Sequence, residues 1–154
     1  MTTTEIVTPE GSRDSANEIV LVFEQREETM TTIREIMTVD LITVSPSVTV
    51  MQAASAMLAG KAGSVLVVEG SDLIGIFTER DILRALVHHS DAGRASPVTS
   101  WMTRDPLTVS PEARAEEALD LMLTCGFRHL PVKEADHLVG IVSMRDLSRI
   151  LAGF

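Results

Sequence analysis

The sequence predicts a mixed α/β (α+β) domain made of two copies of one β-α-β-β-α unit. Three observations lead there: an internal repeat at constant offset, an amphipathic helical period in each copy, and a pair of short apolar β segments around a polar turn in each copy. The pattern of residues 33–86 returns over residues 98–151, 65 positions later and without a gap. Met37-Thr38 answers to Met102-Thr103, Thr43-Val44-Ser45-Pro46 to Thr108-Val109-Ser110-Pro111, Gly75-Ile76 to Gly140-Ile141, and Arg80-Asp81 to Arg145-Asp146. Of the 54 aligned pairs 19 are identical, and 13 others exchange one apolar residue for another, which fixes the register. Two copies are too few for a solenoid. The expectation is one globule with internal pseudo-twofold symmetry and related clefts where the copies meet.

Taken in order, residues 1–29 form an acidic extension that carries −5 of the chain's −9. Its first seventeen residues are rich in Thr, Ser, Gly and acids and read as a disordered lead. The apolar run Ile19-Val20-Leu21-Val22-Phe23 reads either as a strand or short helix docked on the globule, or as a product of start-site choice, Met30 being a second possible start. Residues 30–89 are the first copy, 90–97 a polar linker and 98–154 the second copy. Each copy opens on a short helical turn around Met37 or Met102, followed by extended Thr-Val-Ser-Pro. That proline disfavours helix for the serine before it and suits the start of the helix after it.

The helix over 49–60 buries Val50, Ala53, Ala54 and Met57, with Ala115, Ala118, Leu119 and Met122 in the same places in the second copy. It stops near Gly60-Lys61-Ala62-Gly63, where glycine suits a left-handed cap. Two β segments follow, 64–68 and 73–77, joined by Glu69-Gly70-Ser71-Asp72; their counterparts are 129–133 and 138–142. A second helix starts directly after, with Thr78 or Ser143 at the N-cap. In the first copy it spans 79–87 and ends at His88-His89, cations that complement the helix dipole rather than ligate a metal.

Composition narrows the function classes. At 154 residues and 45% hydrophobic content the chain supports a real core, and 3% aromatic content makes that core Val, Ile, Leu, Met and Ala. A net charge of −9 excludes a nucleic-acid footprint. No apolar run nears the ~18 residues of a membrane span and no signal peptide opens the chain, so a cytoplasmic location is expected. Cys125 is alone, which excludes an internal disulfide and a paired-cysteine metal motif. No phosphate loop, glycosidase-like acid pair or cysteine–histidine motif is present, so no enzyme is expected. Trp101 reads as packing, and the eight methionines as adaptable apolar surface suited to a dimer interface.

The segments that carry chemistry are Gly75-Ile76-Phe77-Thr78-Glu79-Arg80-Asp81 and Gly140-Ile141-Val142-Ser143-Met144-Arg145-Asp146. Each places a hydroxyl at a strand end and a carboxylate three residues later, on the first helical turn. Free N–H groups at a helix start suit an anion, and the carboxylate can accept hydrogen bonds from the vicinal hydroxyls of a ribose. Hydroxyl-x-x-acid is also a capping box needing no ligand, and the residues alone fit both readings.

Together with Phe127-Arg128-His129-Leu130-Pro131-Val132 and the duplicated Thr-Val-x-Pro, these segments resemble a tandem pair of CBS (cystathionine-β-synthase-type) domains, or Bateman module, over roughly residues 32–152. The likeness is strongest to small stand-alone bacterial CBS-pair proteins. It implies two sheets packed together with helices outside, two symmetry-related clefts, and a sensor of adenine nucleotides (AMP, ADP, ATP or NAD, with magnesium accompanying ATP). Ribose would be held by Asp81 with Thr78 and by Asp146 with Ser143, and adenine would lie near Ile42-Thr43-Val44 and Leu107-Thr108-Val109. The segment Arg128-His129-Leu130-Pro131 brings Arg128 and His129 to the phosphates, whereas the first copy has Gly63-Ser64-Val65-Leu66 there. One cationic pair therefore serves the module, and one strong site beside a weaker one is expected. The resemblance also implies a homodimer and a protein target that it does not name. The competing reading is a ligand-free dimerisation scaffold.

Overall fold

The computed structural model describes residues 4–6, 21–23 and 30–153. The chain divides into two compact units, residues up to Met30 and from Thr31 onward. In the first, β1 (Thr4–Ile6) pairs antiparallel with β2 (Leu21–Phe23), Thr4 opposite Phe23. Thr4–Ile6 is thus a strand where a disordered lead is expected; its β-branched Thr and Ile favour extended backbone once a partner strand is available. The rest of the extension, Ile19 and Val20 included, lies outside the described residues.

The second unit runs α1 (Ile33–Ile36), β3 (Thr43–Val44), α2 (Val50–Ala59), β4 (Ser64–Glu69), β5 (Asp72–Thr78) and α3 (Glu79–Ala95). A 3-10 turn (Val98–Ser100) then leads to β6 (Thr103–Arg104), α4 (Ala115–Cys125), β7 (His129–Glu134), β8 (His137–Ser143) and α5 (Met144–Leu151). One sheet has the order β3-β4-β5-β6, with β3 parallel to β4 and the other pairs antiparallel. The other is the β7-β8 hairpin, flanked by single bridges: Val109 parallel to Val132, and Thr38 antiparallel to Ile141. The same four-row plan therefore occurs twice, the leading strand of the second copy being reduced to one bridge.

The outer row of each sheet comes from the other copy. Strand β6, which opens the second copy in sequence, closes the first copy's sheet, and Thr38 does the same in return. The cores follow this exchange. Val98 and Met102 pack with Val50, Ala53, Val67 and Phe77. Ile33 packs with Ala118, Met122, Leu130, Val142 and Leu147, supported by Ile36 and Met37. A third cluster, Leu66, Leu73 and Ile76 with Leu138 and Ile141, lies between the sheets. The α2–α3 pair covers the first sheet and the α4–α5 pair the second.

The exchange explains one repeated feature. A Cβ on Gly140 would stand 2.6 Å from Met37 Sδ, and one on Gly75 would overlap Met102 Sδ. Glycine recurs at these positions because the other copy's methionine crosses over each. Gly140→Ala is expected to cost about 1–3 kcal/mol by overpacking, read from urea unfolding midpoints.

Two helix ends differ from expectation. Gly60 caps α2 with ordinary right-handed backbone (φ −86°), and the left-handed residue is Lys61 (φ 52°); Gly126, at Lys61's register in the second copy, has φ 75°. Gly60 is needed instead for space, since a Cβ there would overlap the Ile42 side chain. Helix α3 continues past His88-His89 to Ala95 and absorbs most of the 90–97 linker. It stops at Ser96, which Pro97 holds extended (ψ 149°). Ser96 Oγ donates to the Gly93 carbonyl at 2.6 Å and accepts from Trp101 Nε1 at 2.8 Å, and the His88 ring stacks on Trp101. His88 therefore sits within the helix as a packing partner, not at a C-terminal dipole.

The two hairpin turns also differ. Gly70 opens the first with φ 62°, whereas Ala135 opens the second with φ 51°. A Cβ in left-handed backbone costs roughly 1–2 kcal/mol, partly offset in glycine by its freer unfolded chain. Ala135→Gly is expected to raise stability by about 0.5–1 kcal/mol, visible as a higher thermal midpoint.

Candidate functional site: two clefts with a common wall

Two clefts open between the copies. The first, about 640 Å³, is lined by Asp40-Leu41-Ile42 and Lys61 of the first copy and by Ser143, Arg145 and Asp146 of the second. The second, about 470 Å³, reverses the parentage: Asp105-Pro106-Leu107 and Phe127 face Thr78, Arg80, Asp81 and Arg84. Each cleft thus joins the extended segment of one copy to the helix start of the other. Gly63, Glu79, Arg128 and His129 line both.

The structure brings Ile42, Ser143 and Asp146 together in the first cleft, and Leu107, Thr78 and Asp81 in the second, with Arg128 and His129 between. Thr43, Val44, Thr108, Val109 and Pro131 are not among the lining residues. Thr43 and Val44 are taken up in pairing with Leu66 and Val67. Pro131 is buried within β7, and its carbonyl accepts from Val109 N at 3.1 Å. These residues set the position of the extended segments without lining the clefts. Sequence reasoning gave no site role to Asp40, Lys61, Glu79, Arg80, Arg84 or Arg145, although Glu79, Arg80 and Arg145 lie in the helix-start segments. Asp40, Arg80 and Arg84 recur at 105, 145 and 149, and that recurrence was the available signal.

The two helix starts are wired differently. Asp81 is 5% exposed, and its Oδ2 accepts from Thr78 N at 2.9 Å and Thr78 Oγ1 at 3.0 Å. Its other oxygen accepts from Arg84 Nη1 at 3.0 Å. At α5, Asp146 N donates to Ser143 Oγ at 3.2 Å, and that hydroxyl donates to Asp146 Oδ2 at 2.5 Å. No arginine bonds Asp146 among the described residues, although Arg149 holds the register of Arg84. The Asp81 carboxylate caps α3 directly, whereas at α5 the Ser143 hydroxyl is the cap and Asp146 holds it; both aspartates face a cleft.

Burial holds the His129 imidazole below the usual histidine range, opposed by Glu79 and Asp146 and reinforced by Arg128 and Arg145. The ring is therefore neutral at neutral pH, and Arg128 is then the wall's one cation. Because the folded value is depressed, the unfolded chain binds more protons below about pH 6.5, and stability falls as pH drops through that value. Urea midpoints at pH 7.5 and 5.5 are expected to fall further in wild type than in His129→Gln.

A family model for the CBS domain matches the chain twice, over residues 33–88 and 98–153. The chain belongs to the CBS domain family. It is 42% identical over 123 residues to an uncharacterized 17.7 kDa protein of Acidianus ambivalens, covering 79% of this chain and 73% of that one. It is 36% identical to the CBS domain-containing protein YhcV of Bacillus subtilis, covering 77% and 84% of the two chains. Among solved structures, a CBS-domain containing protein from Agrobacterium tumefaciens superposes with a TM-score of 0.76 at 30% identity, over 79% of this chain and 99% of that one. The CBS domain pair of protein MJ0100, solved with 5′-methylthioadenosine and S-adenosyl-L-methionine, gives 0.74 at 25% identity over 80% and 98%. These likenesses agree with the tandem CBS pair and packed sheets expected from the sequence. The matched ranges also show that a CBS repeat in sequence is not a compact half in space: Ile33 belongs to the first CBS match and to the second core.

Proposed function

We propose that this CBS pair is a non-catalytic regulatory sensor of adenine nucleotides. The observation that carries the reading is the pair of clefts, each with a hydroxyl–aspartate helix start, built around Arg128 and His129. The aspartate accepts the ribose hydroxyls, Ile42 or Leu107 offers an apolar contact to adenine, and Arg128 meets the phosphate through paired N–H donors. The adenosyl ligands of the MJ0100 pair support the class of ligand. Within that class the reading takes AMP, ADP, ATP (with magnesium) or NAD. Because each cleft is half of one copy and half of the other, a ligand that binds one relative geometry better shifts the population toward it. The helices carry exposed Leu83, Val87 and Leu123 away from both clefts, which suit a homodimer through which such a change reaches a target protein.

One observation favours the scaffold reading: Asp81 already has protein partners on both oxygens. A thermal-shift panel of AMP, ADP, ATP, NAD, S-adenosylmethionine and GTP, with and without magnesium, separates the two. A ligand at a hundred times its Kd stabilises a single site by about 2.7 kcal/mol. Shifts confined to adenine compounds are expected; a flat panel at millimolar ligand would give the scaffold reading precedence.

A further inference from the structure

The two clefts are balanced in charge and share one permanent cation, at the wall between them. Asp40, Lys61, Arg145 and Asp146 line only the first cleft, two acids and two bases. Arg80, Asp81, Arg84 and Asp105 line only the second, again two and two. Each private set sums to zero, so neither cleft has an excess cation of its own outside the common wall. That wall has one permanent cation, Arg128, beside one acid, Glu79. His129 is part of it: Glu79 Oε2 and His129 Nε2 converge on Gly63, standing 3.6 and 3.5 Å from where its Cβ would be. Burial keeps that ring neutral, so it adds no second charge.

A single guanidinium cannot give its paired donors to phosphates on both sides of the wall at once. The first anion to bind takes Arg128 and leaves the other cleft facing Glu79 and the bound phosphate. An uncharged nucleoside makes no demand on Arg128, and each cleft has its own aspartate for the ribose.

We propose that ligand charge sets the stoichiometry of this CBS pair: uncharged adenine nucleosides fill both clefts independently, whereas a phosphorylated one fills one cleft and suppresses binding in the other. The inference rests on the reading of the clefts as adenine-nucleoside sites and adds to it a coupling through Arg128.

Calorimetric titration of the full chain at pH 8 and low salt tests it, with 5′-methylthioadenosine as the uncharged probe and AMP as the anionic one. The nucleoside is expected to bind two equivalents with constants within about fivefold, and AMP one equivalent with a second at least about thirtyfold weaker, the loss of charge-assisted hydrogen bonds. Arg128→Gln is expected to weaken the first AMP, to bring its two constants within about tenfold, and to leave the nucleoside unchanged. Two equal AMP sites, a nucleoside that fills one cleft or none while AMP binds, or an AMP gap that survives Arg128→Gln would each overturn the coupling and leave the sensor reading standing. No binding by either probe would overturn both.

Discussion

The double variant Asp81→Ala/Asp146→Ala is expected to lose AMP affinity by at least about a hundredfold, since each site gives up two hydrogen bonds to a charged acceptor worth ~1.5 kcal/mol apiece. Each single variant is expected to reduce the uncharged nucleoside from two equivalents to one. Stability moves far less. Asp81 caps α3 directly and Asp146 holds the hydroxyl that caps α5, so each replacement costs at most about 0.5–2 kcal/mol. Asp81→Ala lies toward the upper part of that range because it also releases a buried acceptor and the Arg84 ion pair. Calorimetry and urea unfolding on the same preparations separate the two roles. Double-variant protein that binds AMP like wild type would reduce the aspartates to caps.

Ile33→Ala is expected to destabilise the second copy's core by about 2–5 kcal/mol, the range for deleting a fully buried aliphatic side chain. Ile33 is 0% exposed among Ala118, Met122, Leu130 and Leu147, all at least 85 positions later in the chain. Were the leading segment packed on its own repeat, or loosely held, the same change would leave Met122 and Leu130 undisturbed. Urea unfolding monitored by circular dichroism gives the total loss. Hydrogen exchange places it: protection is expected to fall in β7 and β8 before β4 and β5. A loss below about 1 kcal/mol would argue against the exchanged packing.

Much of this was legible in the sequence because it is local. Three- and four-residue spacing gives α2 and α4, a Gly-containing polar join gives the β4–β5 turn, and hydroxyl-x-x-Asp gives the starts of α3 and α5. The offset of 65 carried those elements from one copy to the other without further argument. The exchange of leading segments was not legible. A repeat records which residues correspond and not which copy they touch, so Met37 over Gly140 and Met102 over Gly75 read equally well as contacts within a copy. Helix α3 outran its expected end because the polar residues at 90–94 look like linker, whereas Ala92 and Ala95 sustain helix until Pro97 stops it. At the site, the helix-start residues could be named singly. That Asp81 shares its cleft with Leu107, and Asp146 with Ile42, follows only from the crossed pairing of the copies.

That crossing bears on how such a chain arises. A lone 65-residue unit would leave its sheet without an outer row and its core without the leading isoleucine or valine, while carrying the missing pieces unused at its own front. Two such units repair each other, so the minimal folding entity is an intertwined couple. Fusing the genes of an existing dimer would supply the present architecture in one step, with only the short tether at Ser96-Pro97 to be invented. Inserting a single stable domain twice would not, because that ancestor would have nothing to exchange.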